Sequence, residues 1–171
     1  MKKIGMFAMT IALLLPMAAL TAGPAGAAGG TTCKAPSGKL TFSPGVGSTL
    51  KAQTININLP ITGCVGGGVK GGTFKGTLKT APTDLAMLAK MASNLKFPTT
   101  IVWNTKATSS FTATSATKVG KVITSKVSGK ITKGLFVGLT FSSSQTVTYG
   151  PIVGGVIKTL NIKGTGSITI R

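Results

Sequence analysis

Residues 121–132 read KVITSKVSGKIT, and apolar and polar residues alternate through this stretch. Ile123, Val127 and Ile131 share one parity, while Lys126 and Lys130 share the other. Because successive side chains of a β-strand point to opposite faces of the sheet, this alternation predicts a strand with one buried and one wet face. Such strands are typical of antiparallel sheets.

The same period-two pattern recurs along the chain after residue 30. Six further segments share it: 39–42, 54–59, 73–79, 135–141, 160–162 and 168–170. Glycines and short polar clusters separate these segments, as expected of turns. We therefore predict an all-β fold, either an antiparallel β-sandwich or a partly closed barrel of about 6–10 strands. Trp103 and Tyr149 fall on inward parities, so both are expected to pack in the core.

The segment 83–95 departs from this pattern and predicts one short helix. Its apolar residues recur three or four positions apart, at Leu85, Leu88, Ala92 and Leu95. Thr83 is placed to cap the N-terminus, and Asp84 falls in the first turn, where a negative charge meets the helix dipole favourably. We therefore interpret Asp84 as a helix-start residue and not as a catalytic acid.

The first 27 residues have the features of a secretory signal peptide. Lys2 and Lys3 precede an apolar run over 4–20, and the tripeptide AGA at 25–27 fits the small-x-small cleavage pattern. We predict that residues 1–27 are removed and that 28–171 form a single secreted β domain. That domain is expected to be extracellular, either released or held non-covalently at the cell envelope.

Two cysteines, Cys33 and Cys64, remain after the predicted cleavage. In an oxidising compartment a disulfide is the expected state of such a pair. A metal pair or a reactive thiol lacks support, because the chain has no histidine and no further cysteine to serve as partner. On the chain-entropy model the bridge would stabilise the fold by roughly 3–4 kcal/mol.

The charge balance bears on the class of function. Nineteen lysines and arginines stand against a single acid, Asp84, and the formal net charge is +18. General acid–base catalysis and metal binding depend on histidine, carboxylates or cysteine, so we predict a non-enzymatic protein without metal or cofactor. A hydrolase with a Ser-x-x-Lys pair is the enzymatic alternative. Only the pair Ser93 and Lys96 falls at helical geometry, at the last turn of the predicted helix, and the companion motifs of that class are absent.

Four lysines are the candidate anion contacts. Lys75, Lys79, Lys126 and Lys130 lie on predicted outward faces, interleaved with threonine and serine. Lysines at such positions often serve only solubility and edge protection. The lack of compensating acids favours a further role, which is electrostatic association with anionic envelope polymers or lipid headgroups. Nucleic acid is the weakest of these partners, because the chain offers few aromatics and, after cleavage, one arginine.

A second class of function is carriage of a small apolar ligand. Small β-barrels and sandwiches can hold such a ligand in the interior or between the sheet and a covering helix. The predicted helix over 83–95 would then lie against the ligand. We keep this as the alternative to electrostatic association.

Several short motifs resemble a known group of proteins. They are the run CKAPSGKLTFSP that begins at Cys33, the TGC at 62–64, and the glycine-bounded turns at 72–76 and 134–138. In these the chain is similar to small exported all-β proteins of actinobacteria with no assigned role. The resemblance spans most of the secreted part. It implies a secreted single β domain with a cysteine pair and provides no catalytic residues.

Overall fold

The computed structural model describes residues 29–84, 87, 95–118 and 123–171. Eleven strands are found in these ranges: β1 (Thr31–Lys34), β2 (Gly38–Val46), β3 (Thr54–Val65), β4 (Gly72–Lys79), β5 (Leu95–Trp103), β6 (Thr108–Lys118), β7 (Ile123–Gly134), β8 (Thr140–Tyr149), β9 (Ile152–Val153), β10 (Val156–Gly164) and β11 (Ser167–Ile170). All belong to one antiparallel sheet, so the predicted all-β class is confirmed. The predicted signal peptide over 1–27 lies outside the described residues.

The sheet closes on itself into an eight-stranded barrel. From β2 to β8 each strand pairs with the next one along the chain. Strand β10 then pairs with both β8 and β2, which joins the two edges. Closure satisfies the backbone groups that an open edge would expose. The barrel alternative is thus confirmed and the sandwich alternative is not, because one continuous sheet surrounds the core.

Two of the eight positions in the barrel are each shared by two strands, one of nine residues and one of four. Strands β1 and β2 both pair with β3, and β10 and β11 both pair with β8. The β1–β11 pair closes what we call the disulfide end, and the β2–β10 pair closes the opposite, cavity end. A disulfide between Cys33 and Cys64 ties β1 to β3, which confirms the predicted pairing and is consistent with an oxidising compartment.

The disulfide end is filled by large aromatic side chains. Trp103 packs edge-on against Phe136, with ring centroids 5.4 Å apart. Phe74, Phe111 and Phe141 form a second group with centroids 5.0–6.1 Å apart. Buried isoleucines complete this part of the core: Ile61, Ile101, Ile131, Ile168 and Ile170. The predicted inward position of Trp103 is confirmed, and the free space of the barrel lies at the other end.

The predicted strand over 135–141 is wrong over 135–139, and only its last two residues belong to β8. The stretch between β7 and β8 is a turn, with Gly134 and Gly138 at φ of 82° and 88°. Phe136 is the buried residue of this turn, whereas Val137 is 61% exposed. The alternation predicts Leu135, Val137 and Leu139 on the buried face, but the turn instead inserts Phe136, of the opposite parity, against Trp103.

The predicted helix over 83–95 lies largely outside the described residues. Its two ends are corrected: Thr83 forms an isolated β-bridge, and Leu95 is the first residue of β5. The Oδ1 atom of Asp84 accepts a hydrogen bond of 2.7 Å from the backbone N–H of Met87. This is the contact that an N-cap residue makes with the amide three positions later. The capping contact expected of Thr83 is therefore made by Asp84.

Candidate functional site

A cavity of about 130 Å³ lies inside the barrel toward the cavity end. All eight barrel strands contribute to its wall. The space exists because inner positions of β6, β7 and β8 carry Ser115, Ser125 and Ser143, whereas toward the disulfide end the same strands carry Phe111, Ile131 and Phe141. Its volume is close to the roughly 150 Å³ of an engineered apolar cavity that takes up benzene.

The wall of the cavity has an apolar side and a polar side. Strands β2, β3, β4 and β10 form the apolar side with Leu40, Phe42, Ile55, Ile57, Leu78, Leu160 and Ile162. Strands β6, β7 and β8 form the polar side with Ser115, Thr117, Ser125, Ser143 and Gln145. No charged side chain occurs among the described residues that line the cavity. The site therefore suits an amphipathic but uncharged occupant.

Three hydroxyls of the polar side bond to one another. The Oγ atoms of Ser115 and Ser125 lie 2.9 Å apart. Thr117 lies opposite Ser125 in the β6–β7 register, and its Oγ1 donates to Ser125 Oγ at 3.3 Å and lies 3.2 Å from Ser115 Oγ. Because these groups satisfy each other, their burial needs no further partner.

Unlike these three hydroxyls, the hydroxyl of Ser143 is unpaired among the described residues. Ser143 lies opposite Val127 on the inner face of the barrel and is 2% exposed, yet its Oγ has no hydrogen-bond partner among the described residues. A buried hydroxyl left without a partner costs about 1–3 kcal/mol. Such a group on the wall of the cavity is positioned to bond with a molecule inside.

Two further polar residues frame the cavity end. The side chain of Gln53 is fully engaged, since Oε1 accepts from the Gly45 N–H at 2.9 Å and Nε2 donates to the carbonyls of Gly45 and Lys51 at 3.0 and 3.2 Å. Gln53 therefore holds the β2–β3 connection and is not free to bind a ligand. Tyr149, predicted to pack in the core, lines the cavity but is 41% exposed, which places it at the rim.

The four candidate lysines lie on the outer surface in two separate pairs. Lys75 and Lys79 are on β4, and Lys126 and Lys130 are on β7; all four are exposed. Strands β4 and β7 are three positions apart in the sheet, which corresponds to about 14 Å measured around the barrel. The structure therefore does not bring these four side chains into one site.

Of the four candidate lysines, Lys75 belongs to a shallow outer groove that crosses strands β3 to β7. The groove has a volume of about 690 Å³. A single cross-strand row of the register runs along it: Asn58, Lys75, Thr100, Ser110 and Lys133. The hydroxyls of Thr100 and Ser110 lie 3.2 Å apart. Sequence reasoning did not single out Lys133, because it shares the inward parity of Val127 and Ile131. A β-bulge in the β6–β7 register turns it to the outer face opposite Ser110.

Other kinds of site have little support in the described ranges. No group of three or more His, Cys, Asp or Glu side chains there could hold a metal ion. The same residues include no helix long and apolar enough to cross a membrane. Comparison with family models, curated proteins and solved structures finds no match to the chain.

Proposed function

We propose that this is a secreted, non-enzymatic protein that binds a small, largely apolar molecule inside its barrel. The observation that carries the proposal is the buried and unpaired hydroxyl of Ser143 on the wall of a mainly apolar, uncharged cavity, where the other buried serines are paired. A core that served stability alone would fill this space or pair this group. The filled disulfide end shows that the same barrel can pack its interior where no space is kept.

The size of the cavity sets the expected affinity. An aromatic ring buries roughly 150–250 Å² of surface. At about 25 cal/mol per Å² this corresponds to roughly 4–6 kcal/mol, before the costs of association are subtracted. Those costs leave only the weak end of the corresponding affinities, so a dissociation constant of about 1 mM is expected for a single-ring probe. A larger natural ligand that reaches the rim at Tyr149 would bind more tightly.

Titration calorimetry of the purified protein with toluene tests this proposal. We expect saturable binding at one site per chain, with a negative heat-capacity change because apolar surface is removed from water. Absence of saturation with toluene up to about 5 mM, well above the expected range, would contradict the proposal.

A second candidate function is electrostatic association with an anionic envelope polymer. The outer groove favours it, because Lys75 and Lys133 flank a row of hydroxyl and amide groups that can bond with a hydroxylated, negatively charged chain. The groove crosses five strands, or about 19 Å, which suits an extended polymer better than a single headgroup. In the test of this second function, anionic vesicles are the alternative binding target to isolated cell walls.

Replacing Lys75 and Lys133 together with alanine should weaken retention on isolated cell walls at low salt by roughly tenfold. The matched control is the pair Lys126→Ala and Lys130→Ala, which removes the same charge outside the groove and should have the smaller effect. Retention of the unmodified protein should fall as salt is raised, since exposed charges are screened. Retention that is independent of salt, or equal losses from both pairs, would contradict a role for the groove.

A further inference from the structure

We infer that the cavity selects an uncharged molecule with one hydrogen-bonding oxygen, a small alcohol or ketone, and that this oxygen bonds to Ser143. The inference rests on the proposed ligand binding inside the barrel and adds the chemical class and orientation of the ligand. It follows from the charge of the wall, from which polar groups are free, and from the depth of Ser143.

The charge of the wall excludes an ionised ligand. The positive charge of the described residues lies outside the barrel, because each of their lysines and arginines is exposed: Lys126, for example, is exposed while its neighbours Ser125 and Val127 are buried. The described lining residues include no cation. A carboxylate entering this cavity would lose its hydration without gaining a counter-charge, which is strongly unfavourable. The large net charge therefore does not make the interior an anion site.

The free polar groups on the wall limit the number of hydrogen bonds a ligand can make. Ser115, Thr117 and Ser125 bond among themselves, and Gln53 is engaged by backbone groups. Ser143 is the lining side chain with a fully buried oxygen and no partner in the described part of the chain. Gln145, two residues further along β8, is half-buried and lies nearer the rim, so it does not compete at the depth of Ser143. A serine hydroxyl offers one donor and two acceptor positions, so it can serve either an alcohol or a ketone.

The position of Ser143 along β8 sets the orientation of the ligand. Phe141, two residues before it, belongs to the packed aromatic group, and Tyr149, at the other end of the strand, lies at the rim. Ser143 is therefore at the floor of the cavity. The polar atom of the ligand would point toward the disulfide end, and its apolar part would extend past Leu40 and Leu78 toward the rim.

A double-mutant cycle with toluene, benzyl alcohol and benzoate tests this inference. The three probes share one ring and differ in the attached group. We expect the ratio of benzyl alcohol affinity to toluene affinity to fall by about fivefold in Ser143→Ala, since the variant removes one hydrogen bond to the alcohol. Ser144→Ala, on the outward neighbour, should leave the ratio unchanged. Toluene binding by both variants reports that the barrel is folded.

The outcomes separate the inference from the proposed function. An unchanged ratio in Ser143→Ala, or benzoate that competes with toluene, would overturn the inference while leaving toluene binding in place. Benzoate held only on the outer lysines would be released by salt, would not compete with toluene, and would agree with the inference. If toluene does not bind the unmodified protein, the proposed function itself is overturned.

Discussion

Replacing Trp103 with alanine is expected to lower the free energy of unfolding by about 4 kcal/mol. Trp103 is 2% exposed and packs edge-on against Phe136. Its Nε1 donates a 2.8 Å hydrogen bond to Ser109 Oγ, and Ser109 in turn donates to the carbonyl of Leu135 in the β7–β8 turn. The substitution therefore leaves a large cavity and also removes a partner of a buried hydroxyl.

Urea unfolding followed by circular dichroism measures this loss, because Trp103 is the sole tryptophan and its fluorescence disappears in the variant. Trp103→Phe is the matched control. It keeps an aromatic ring but lacks the N–H, so a smaller loss of about 1–2 kcal/mol is expected. A loss below about 1 kcal/mol in Trp103→Ala would show that the disulfide end is not the packed core described here.

Replacing Ser143 with leucine is expected to abolish saturable toluene binding while leaving the protein as stable as before or more stable. The larger side chain fills much of a cavity of about 130 Å³, so the ligand loses its space. The same change removes an unpaired buried hydroxyl and adds buried apolar surface, which together favour the folded state by about 1–2 kcal/mol. Loss of binding through misfolding would instead lower stability.

Ser144→Leu provides the control for this variant. Ser144 is the next residue of β8 and is exposed on the outer surface, so it adds the same side chain outside the cavity. Its toluene affinity should equal that of the unmodified protein. Unchanged binding in Ser143→Leu, or equal loss in Ser144→Leu, would place the toluene site outside the barrel.

Much of the local structure could be predicted from the sequence, because strand alternation is a local signal. The parity of 123–132 gave the correct buried face, and Cys33 and Cys64 form the predicted bridge. Closure of the sheet could not be predicted in the same way. It depends on β10 pairing with β8 and β2, and such pairings between distant segments leave no mark in the alternation of either strand.

The candidate site was harder to predict for a related reason. Ser125 and Ser143 share the parity of buried apolar neighbours, and a polar residue at an inward position is the signal that could have revealed the polar wall. Whether such residues leave a cavity depends on the volumes of side chains from all eight strands. The lysines were only partly predictable for the same reason. The sequence pattern correctly placed Lys75 on the outer face, but the position of Lys133 in the same groove depends on how β5, β6 and β7 pair.

The most direct test of ligand binding inside the barrel is a methyl-NMR titration of the purified protein with toluene. Ring currents should shift the methyl signals of Leu40, Ile57 and Val127, which line the cavity, along one saturating curve. The methyls of Val65 and Val137, which are 78% and 61% exposed, should not move. Shifts confined to Val65 and Val137, or no saturating shift at any cavity methyl, would contradict binding in the barrel.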